Sequence, residues 1–427
     1  MVTVPAEPYY AARVSVEAMR PMAAGAIDGV IGALTHPLTA DERTPKAIIN
    51  KSVTETIKIT ADDYSAALEK MNQTFLENRW SDGLPVVPAT KEAVAWMLKG
   101  TSRSPDELIA HVPMKNGAAT IEKIAINAVM AGAKPEYLPV IIAAMEALTD
   151  KNYDLKHLQA STGSNTPVII VSGPISKELN INSGIGYLGH GWRANSTIGR
   201  AVRLCLINLG HVWPTVNDMG LTGREAAYTN YTFAENENDT PFKPYHVDLG
   251  FKPEQSTVTV SSTMWHVRQG PGGAVTAHEP KAALEALAKI IQEIGYPTTA
   301  RAWVIGKNYI VILDPGLARS LQKLGYTKDS IKQWLFEHAR IPYSEVTEKE
   351  RKALGKVIEE KRLPPNILSL DNLKEGGTIP VASGPNRIHI IVAGGMPGYT
   401  GVFAYPGPAF GHETKLIRGA TLTNAGR

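Results

Sequence analysis

The sequence predicts an α/β protein made of two Rossmann-like α/β layered halves, with glycine-rich loops at strand ends. Two observations carry this. Helical periods alternate with short apolar strands along most of the 427 residues. Three apolar runs also end in tight turns: P-V-I-I-V-S-G-P at 167–174, Y-I-V-I-L-D-P-G at 309–316 and I-H-I-I-V-A-G-G at 388–395. In α/β sheets, ligands bind beyond the carboxyl ends of strands, so all three turns are candidate site positions. The expected organisation is an N-terminal arm (1–55), an α/β domain with a glycine-rich anion site (56–275) and a second α/β domain (276–427).

The elements follow in order. Residues 17–34 are rich in Ala, Gly and Met and suit a helix that stops near His36-Pro37. Tyr64, Leu68, Met71 and Phe75 have helical spacing within 61–78. Asp82-Gly83 makes a turn, 84–87 is extended between prolines, and Thr90 caps a helix over 91–98. Thr120 caps a second helix over 120–130, with Asn127 beside its apolar face, either holding a loop or touching a ligand. Residues 135–148 read as a deeply buried helix. A strand at 168–171 leads to the glycine-rich loop and a helix starting at Asn195 or Ser196. Residues 256–261 alternate as a strand, with a loop at 268–275. Helices are expected at 280–294, 317–324 and 328–339, the last capped by Thr327, and a solvated helix at 347–362. Strands are expected at 301–305, 309–313 and 388–392, the last ending in A-G-G-M-P-G.

Composition removes several functions. Net charge is +3, from 44 basic and 41 acidic residues, and no basic tract interleaves with aromatics, so no nucleic-acid partner is expected. The single cysteine, Cys205, excludes an intrachain disulfide and sits in an apolar run that suits a packed thiol. No signal peptide or membrane-spanning run is visible, which makes a cytoplasmic protein with no membrane partner the expectation. The arm suggests a homo-oligomer.

The chemistry concentrates in 158–242. The loop 182–190 holds three glycines and precedes a helix start, where unpaired N–H groups suit a small anion. Arg193 and Arg200 are the candidate forks for that anion, although Arg200 and Arg203 also have the spacing of surface salt bridges. Asn165, Thr166, Asn182, Ser183, Asn195 and Ser196 are the candidate substrate-orienting groups. Gly184, Gly186 and Gly189 match G-x-G-x-x-G, yet they do not join a strand directly to a helix, so a dinucleotide is poorly supported. Glu235, Glu237 and Asp239 alternate, and in an extended segment they share a face. They form a solvated acidic loop, or Glu235 and Glu237 hold a divalent metal ion, or they tune one another for proton transfer. His190, inside the glycine loop, is the candidate base that pairs with Glu235. No H-E-x-x-H, G-x-S-x-G or P-loop pattern occurs.

At D-G-L-P-V-V-P-A-T, A-I-N-A-V-M-A-G-A-K-P-E-Y-L-P-V and N-S-G-I-G-Y-L-G-H-G-W-R-A-N-S-T-I-G-R-A-V-R-L, the chain resembles an uncharacterised bacterial protein family. The likeness spans roughly 79–251 and implies no reaction. Members often carry cysteine where this chain has Ala133.

The reading is a small-molecule enzyme, a lyase or hydrolase acting on a carboxylate-bearing substrate by acid–base or metal-assisted chemistry. A non-catalytic binding or assembly protein is the second class, and a cofactor-dependent oxidoreductase the third.

Overall fold

The computed structural model describes residues 16–37, 56–224, 226–268, 279–295, 308–395, 400–404 and 411–421. The expected strand at 301–305, most of the loop at 268–275, much of the arm and the end of A-G-G-M-P-G lie outside the described residues. The chain divides into two compact units, Met1–Lys58 and Ile59–Arg427, so the boundary expected near 275 falls inside the second. In the first unit, helix α1 (Val16–Thr35) exposes Ile27, Val30, Ile31 and Leu34 along one face. Among the described residues, no helix is long and apolar enough to cross a membrane.

The second unit is a mixed α/β structure. It opens with α2 (Tyr64–Glu77), α3 (Lys91–Leu98), the hairpin β1–β2 (Leu108–Val112, Gly117–Thr120) and α4 (Ile121–Met130). Helices α5 (Leu138–Leu148) and α6 (Leu155–Ala160) then lead to β3 (Thr166–Ser172). A helical crossover, α7 (Ile175–Glu178) and α8 (Arg193–Asn208), returns the chain to β4 (Thr232–Ala234), followed by α9 (Tyr245–Asp248) and the strands β5 (Thr257–Thr263) and β6 (Trp265–Arg268). The later part has α10 (Pro280–Gly295), β7 (Tyr309–Leu313), α11 (Pro315–Lys323), α12 (Lys328–His338), β8 (Arg340–Pro342) and α13 (Glu348–Glu359). It closes with β9 (Thr378–Pro380), β10 (Ile388–Val392), β11 (Gly401–Ala404) and β12 (His412–Leu416).

Local chemistry explains most helix starts. The side chains of Asp63, Thr90 and Thr120 each accept an N–H from the first turn of α2, α3 and α4. Thr327 and Thr347 form reciprocal capping boxes with Ser330 and Glu350. Helix α8, like α5, α7 and α9, has no such cap. It starts at Arg193, ahead of the expected Asn195, with no side-chain cap on Trp192.

Two four-stranded sheets form the centre, in the orders β4-β3-β5-β12 and β10-β7-β11-β6. In each, a parallel pair joined by a helical crossover continues into two antiparallel strands. A Rossmann-like half would be mostly parallel with helices on both faces. Here the alternation of each strand divides the residues differently. Ile169, Val171, Val258 and Val260 pack under α4, α5 and α8. Tyr309, Val311, Leu313, Ile388 and Ile390 pack under α10, α11 and α12. The opposite faces meet: Val168, Ile170 and Phe233 of the first sheet join Ile310, Ile312, Ile391 and Phe403 of the second in one apolar layer. The order of layers is helix, sheet, sheet, helix. Each such buried side chain stabilises the fold by roughly 1.5–3 kcal/mol.

The sheets also exchange strands. β5 belongs to the first sheet and β6, one residue later, to the second; β11 belongs to the second and β12 to the first.

Candidate active site

The parallel pairs of the two sheets run out at a common crest. Asn236 N–H donates to Val392 O at 2.8 Å, tying the end of β4 to the end of β10. Gly394 N–H donates to Ser183 O, so the glycine-rich loop lies over the same place. At the end of β3, Gly173 has a φ of 97°, and a Cβ there would stand 2.3 Å from Gln255 O, so only glycine fits. A cavity of about 250 Å³ opens at this crest, lined by Glu235, Glu237, Asn182, Ser183, Lys177 and Trp192 among others.

Glu235 is 1% exposed. Its Oε2 accepts the Tyr245 N–H at 2.6 Å, and its Oε1 lies 3.4 Å from Lys328 Nζ. Lys328 also reaches Asp248 at 2.9 Å and Lys243 O at 2.7 Å. Burial pushes the Glu235 carboxyl above the ordinary carboxylate range despite the pull of Lys328 and the Tyr245 N–H, and neighbouring Glu237 adds to the rise.

Glu237 keeps 21% of its side chain exposed. Its Oε1 accepts the Gly173 N–H at 2.5 Å and stands 3.5 Å from Nδ1 of the fully buried His246, an ion-pair contact rather than a hydrogen bond. Burial opposes a charged imidazole, but the facing Glu237 carboxylate carries the balance upward, so His246 titrates above its ordinary value. Ser172 Oγ and Thr257 Oγ1, register partners at the same strand end, are buried without a hydrogen bond among the described residues. Unsatisfied groups of this kind are rare in protein interiors, and a water, an ion or a bound polar group would satisfy them.

Behind Glu235, the Tyr245 hydroxyl lies 2.9 Å from His389 Nδ1 and 2.7 Å from His412 Nε2. The two imidazoles stack at 3.7 Å and 8°. The network assigns the tautomers. His389 Nε2 faces Asn308 Oδ1 and carries the proton, so Nδ1 accepts from the tyrosine and His412 Nε2–H donates to it. His389 lies on the second sheet and His412 on the first, so one tyrosine staples both sheets.

The structure thus brings together Asn182, Ser183, Glu235 and Glu237 and separates the other expected residues. The segment after β4 turns rather than extends: Glu237 N–H bonds to Glu235 O, and Asp239 N–H to Asn236 O. Asp239 is exposed and 3.8 Å from Arg319, away from the other two carboxylates. Asn165 and Thr166 sit at the amino end of β3, while Glu235 follows the carboxyl end of β4. Six residue steps of strand separate these ends by roughly 20 Å. Asn195 is spent on the loop: its Oδ1 accepts Asn182 N–H at 2.8 Å, and its Nδ2 donates to Asn182 O and Thr232 O. Ser196 lines a separate hollow of about 240 Å³ beside Tyr187 and Thr229.

Neither arginine is available as an anion fork. Arg193 donates to Gly132 O from two nitrogens. Arg200 clamps Asp82 at 2.8 and 2.9 Å and also reaches Leu84 O and Pro85 O. His190 is exposed and does not line the crest cavity. The metal expectation also fits poorly. Among the described residues, no three His, Cys, Asp or Glu side chains are grouped to hold a metal ion, and Glu235 faces Lys328 instead.

Sequence reasoning missed Lys328, Tyr245 and Asp248. Lys328 reads locally as the first residue of a capped helix. The only local signal for the others is a short Y-H-V-D turn of helix ten residues after Glu235. A larger hollow, about 480 Å³ between α2 and the 81–85 loop, has only the exposed Glu69 and Lys70 as charged groups. It lacks the buried ionisable groups that mark the crest. No family model, curated protein or solved structure matches the chain.

Proposed function

We propose that the chain is a small-molecule enzyme of the lyase or hydrolase class, working by acid–base chemistry at the crest cavity. The observation that carries the reading is the pair Glu235 and Glu237. Two carboxyls stand two residues apart in opposite environments, one sealed and raised, the other accessible and backed by His246. Paired carboxyls in different environments divide acid and base roles between them.

In this reading Glu237 takes the proton from the bound molecule. The Gly173 N–H and His246 aim its carboxylate. Glu235 holds the second proton and returns it. Lys177 is the cation lining the cavity and receives the substrate's carboxylate, while Trp192 supplies an apolar wall. Asn182 shapes the rim, since its Oδ1 accepts Gly184 N–H and its Nδ2 donates to Ile185 O.

The test is a turnover screen by NMR over small hydroxy, keto and amino acids, their esters and their amides. The expected result is a substrate whose turnover falls at least ~100-fold in both Glu235→Gln and Glu237→Gln, with melting curves retained. Turnover that survives both substitutions defeats the reading, as does a screen with no substrate.

A further inference from the structure

We infer a second ligand site that shares no lining residue with the crest cavity and takes a flat aromatic anion. A cavity of about 420 Å³ lies between the end of α2, the β1–β2 turn and the stretch after α8. That volume is in the range of small-molecule sites. Trp80, Trp213, Arg79, Lys115 and His211 line it, with Val212 and other apolar groups, and no carboxylate is among the lining residues.

Three walls are fixed by backbone. Met114 and Lys115 N–H both donate to Gly210 O, and Gly117 N–H donates to Leu209 O, which clamps the hairpin turn to the end of α8. A Cβ on Gly210 would stand 2.6 Å from both Leu206 O and Pro113 O, so the clamp admits only glycine. Asn208 Nδ2 donates to Trp80 O at 3.1 Å and holds the third wall. Trp80, 36% exposed, is braced edge-on against Phe75. The Trp213 carbonyl receives the N–H groups of Val216, Asn217 and Asp218, and Asn217 Oδ1 takes its N–H. The indoles are therefore presented on rigid backbone.

The charges are the second observation. Arg103, Arg200, Arg203 and Arg224 each donate to carboxylates, an amide oxygen or carbonyls. The side chains of Arg79, Lys115 and His211 are exposed around the cavity mouth and make no hydrogen bond or ion pair among the described residues. The carbonyl end of α8 accounts for a cation close to it, but not for three beside two indoles. Arg79 takes a left-handed backbone, with φ of 62°, because it closes α2: Trp80 N–H returns to Phe75 O, which fixes where the Arg79 and Trp80 side chains leave the helix. Unpaired cations with indole faces select a ring that stacks and a carboxylate or phosphate that pairs.

The test uses calorimetry and tryptophan fluorescence on the full chain, with AMP and benzoate as probes and adenosine, benzyl alcohol and inorganic phosphate as controls. At least one aromatic anion is expected to bind, with its uncharged analogue and inorganic phosphate at least ~10-fold weaker. R79Q/K115Q and Trp80→Ala should each weaken that binding at least ~10-fold with the melting temperature kept, while Glu237→Gln leaves it unchanged. Phosphate binding as tightly as AMP would reduce the site to a basic surface and overturn the proposal. So would absence of binding by both aromatic anions, full retention of affinity in R79Q/K115Q, or loss of binding in Glu237→Gln.

Discussion

In the first sheet the parallel pair β3–β4 runs out into Gly173 and Glu235; in the second, the pair β7–β10 runs out into Asp314 and Ala393. The strand order and crossover are the same, yet the two ends are put to different uses. Asp314 Oδ1 accepts the N–H groups of Gly316 and Leu317 and caps α11. β10 is followed by A-G-G, which carries no ionisable side chain and lets the glycine loop pass over it. β4 is followed by E-N-E-N-D, which places two carboxyls at the cavity. Topology fixes where strand ends converge, and the few residues after each strand decide which end carries ionisable side chains.

The sharpest way to break this comparison is to neutralise each end. Glu237→Gln should lower turnover by about 10²- to 10⁴-fold, whereas Asp314→Asn should leave it unchanged; equal losses would show that both ends are catalytic. Next in size is the staple that joins the sheets. Burial, reinforced by Arg387, holds His412 down at about 4, and His389 lies well below its ordinary value. A histidine whose folded pKa is depressed binds fewer protons folded than unfolded between those two values, so stability rises with pH across that window. His412 should therefore cost about 3 kcal/mol as pH falls from about 6.5 to 4, read by urea unfolding at each pH. Glu235 runs the other way, because its raised carboxyl favours the fold at low pH and loses that contribution as pH climbs past the ordinary carboxylate range. In Tyr245→Phe, an unchanged acid limb would show that the histidines do not depend on the staple.

A smaller effect is expected from Asp314→Ala, about 1–2 kcal/mol of stability from the lost cap, measured by thermal unfolding. Smallest is Glu348→Gln. It removes an exposed pair with Lys352 and should change stability by less than about 0.5 kcal/mol.

The capped helices were legible because their signals are local: Thr90, Thr120 and Thr327 each sit within one turn of what they cap. The strands β4, β6, β8, β9, β11 and β12 were not. They are three to five residues long, too short for a period to show, and their partners are distant in sequence. The site divides the same way. Asn182, Ser183, Glu235 and Glu237 stood out from the glycine loop and the carboxylate run, although that run is a turn and not a strand. Arg193 and Arg200 looked free because the Gly132 carbonyl and Asp82 that engage them lie 61 and 118 residues away. Lys328 was invisible as a site residue because its partnership with Glu235 spans 93 positions.

The exchange of strands between the sheets bears on how the molecule is made. The first sheet is not complete until β12, the last strand among the described residues, leaves the ribosome, and the second cannot form without β6, laid down before its own central strand. Neither sheet can be finished as a separate folding event. A chain released a few residues after β11 would expose β5 as an open edge, ready to pair with another copy. Premature termination late in synthesis should therefore yield aggregates rather than a soluble fragment.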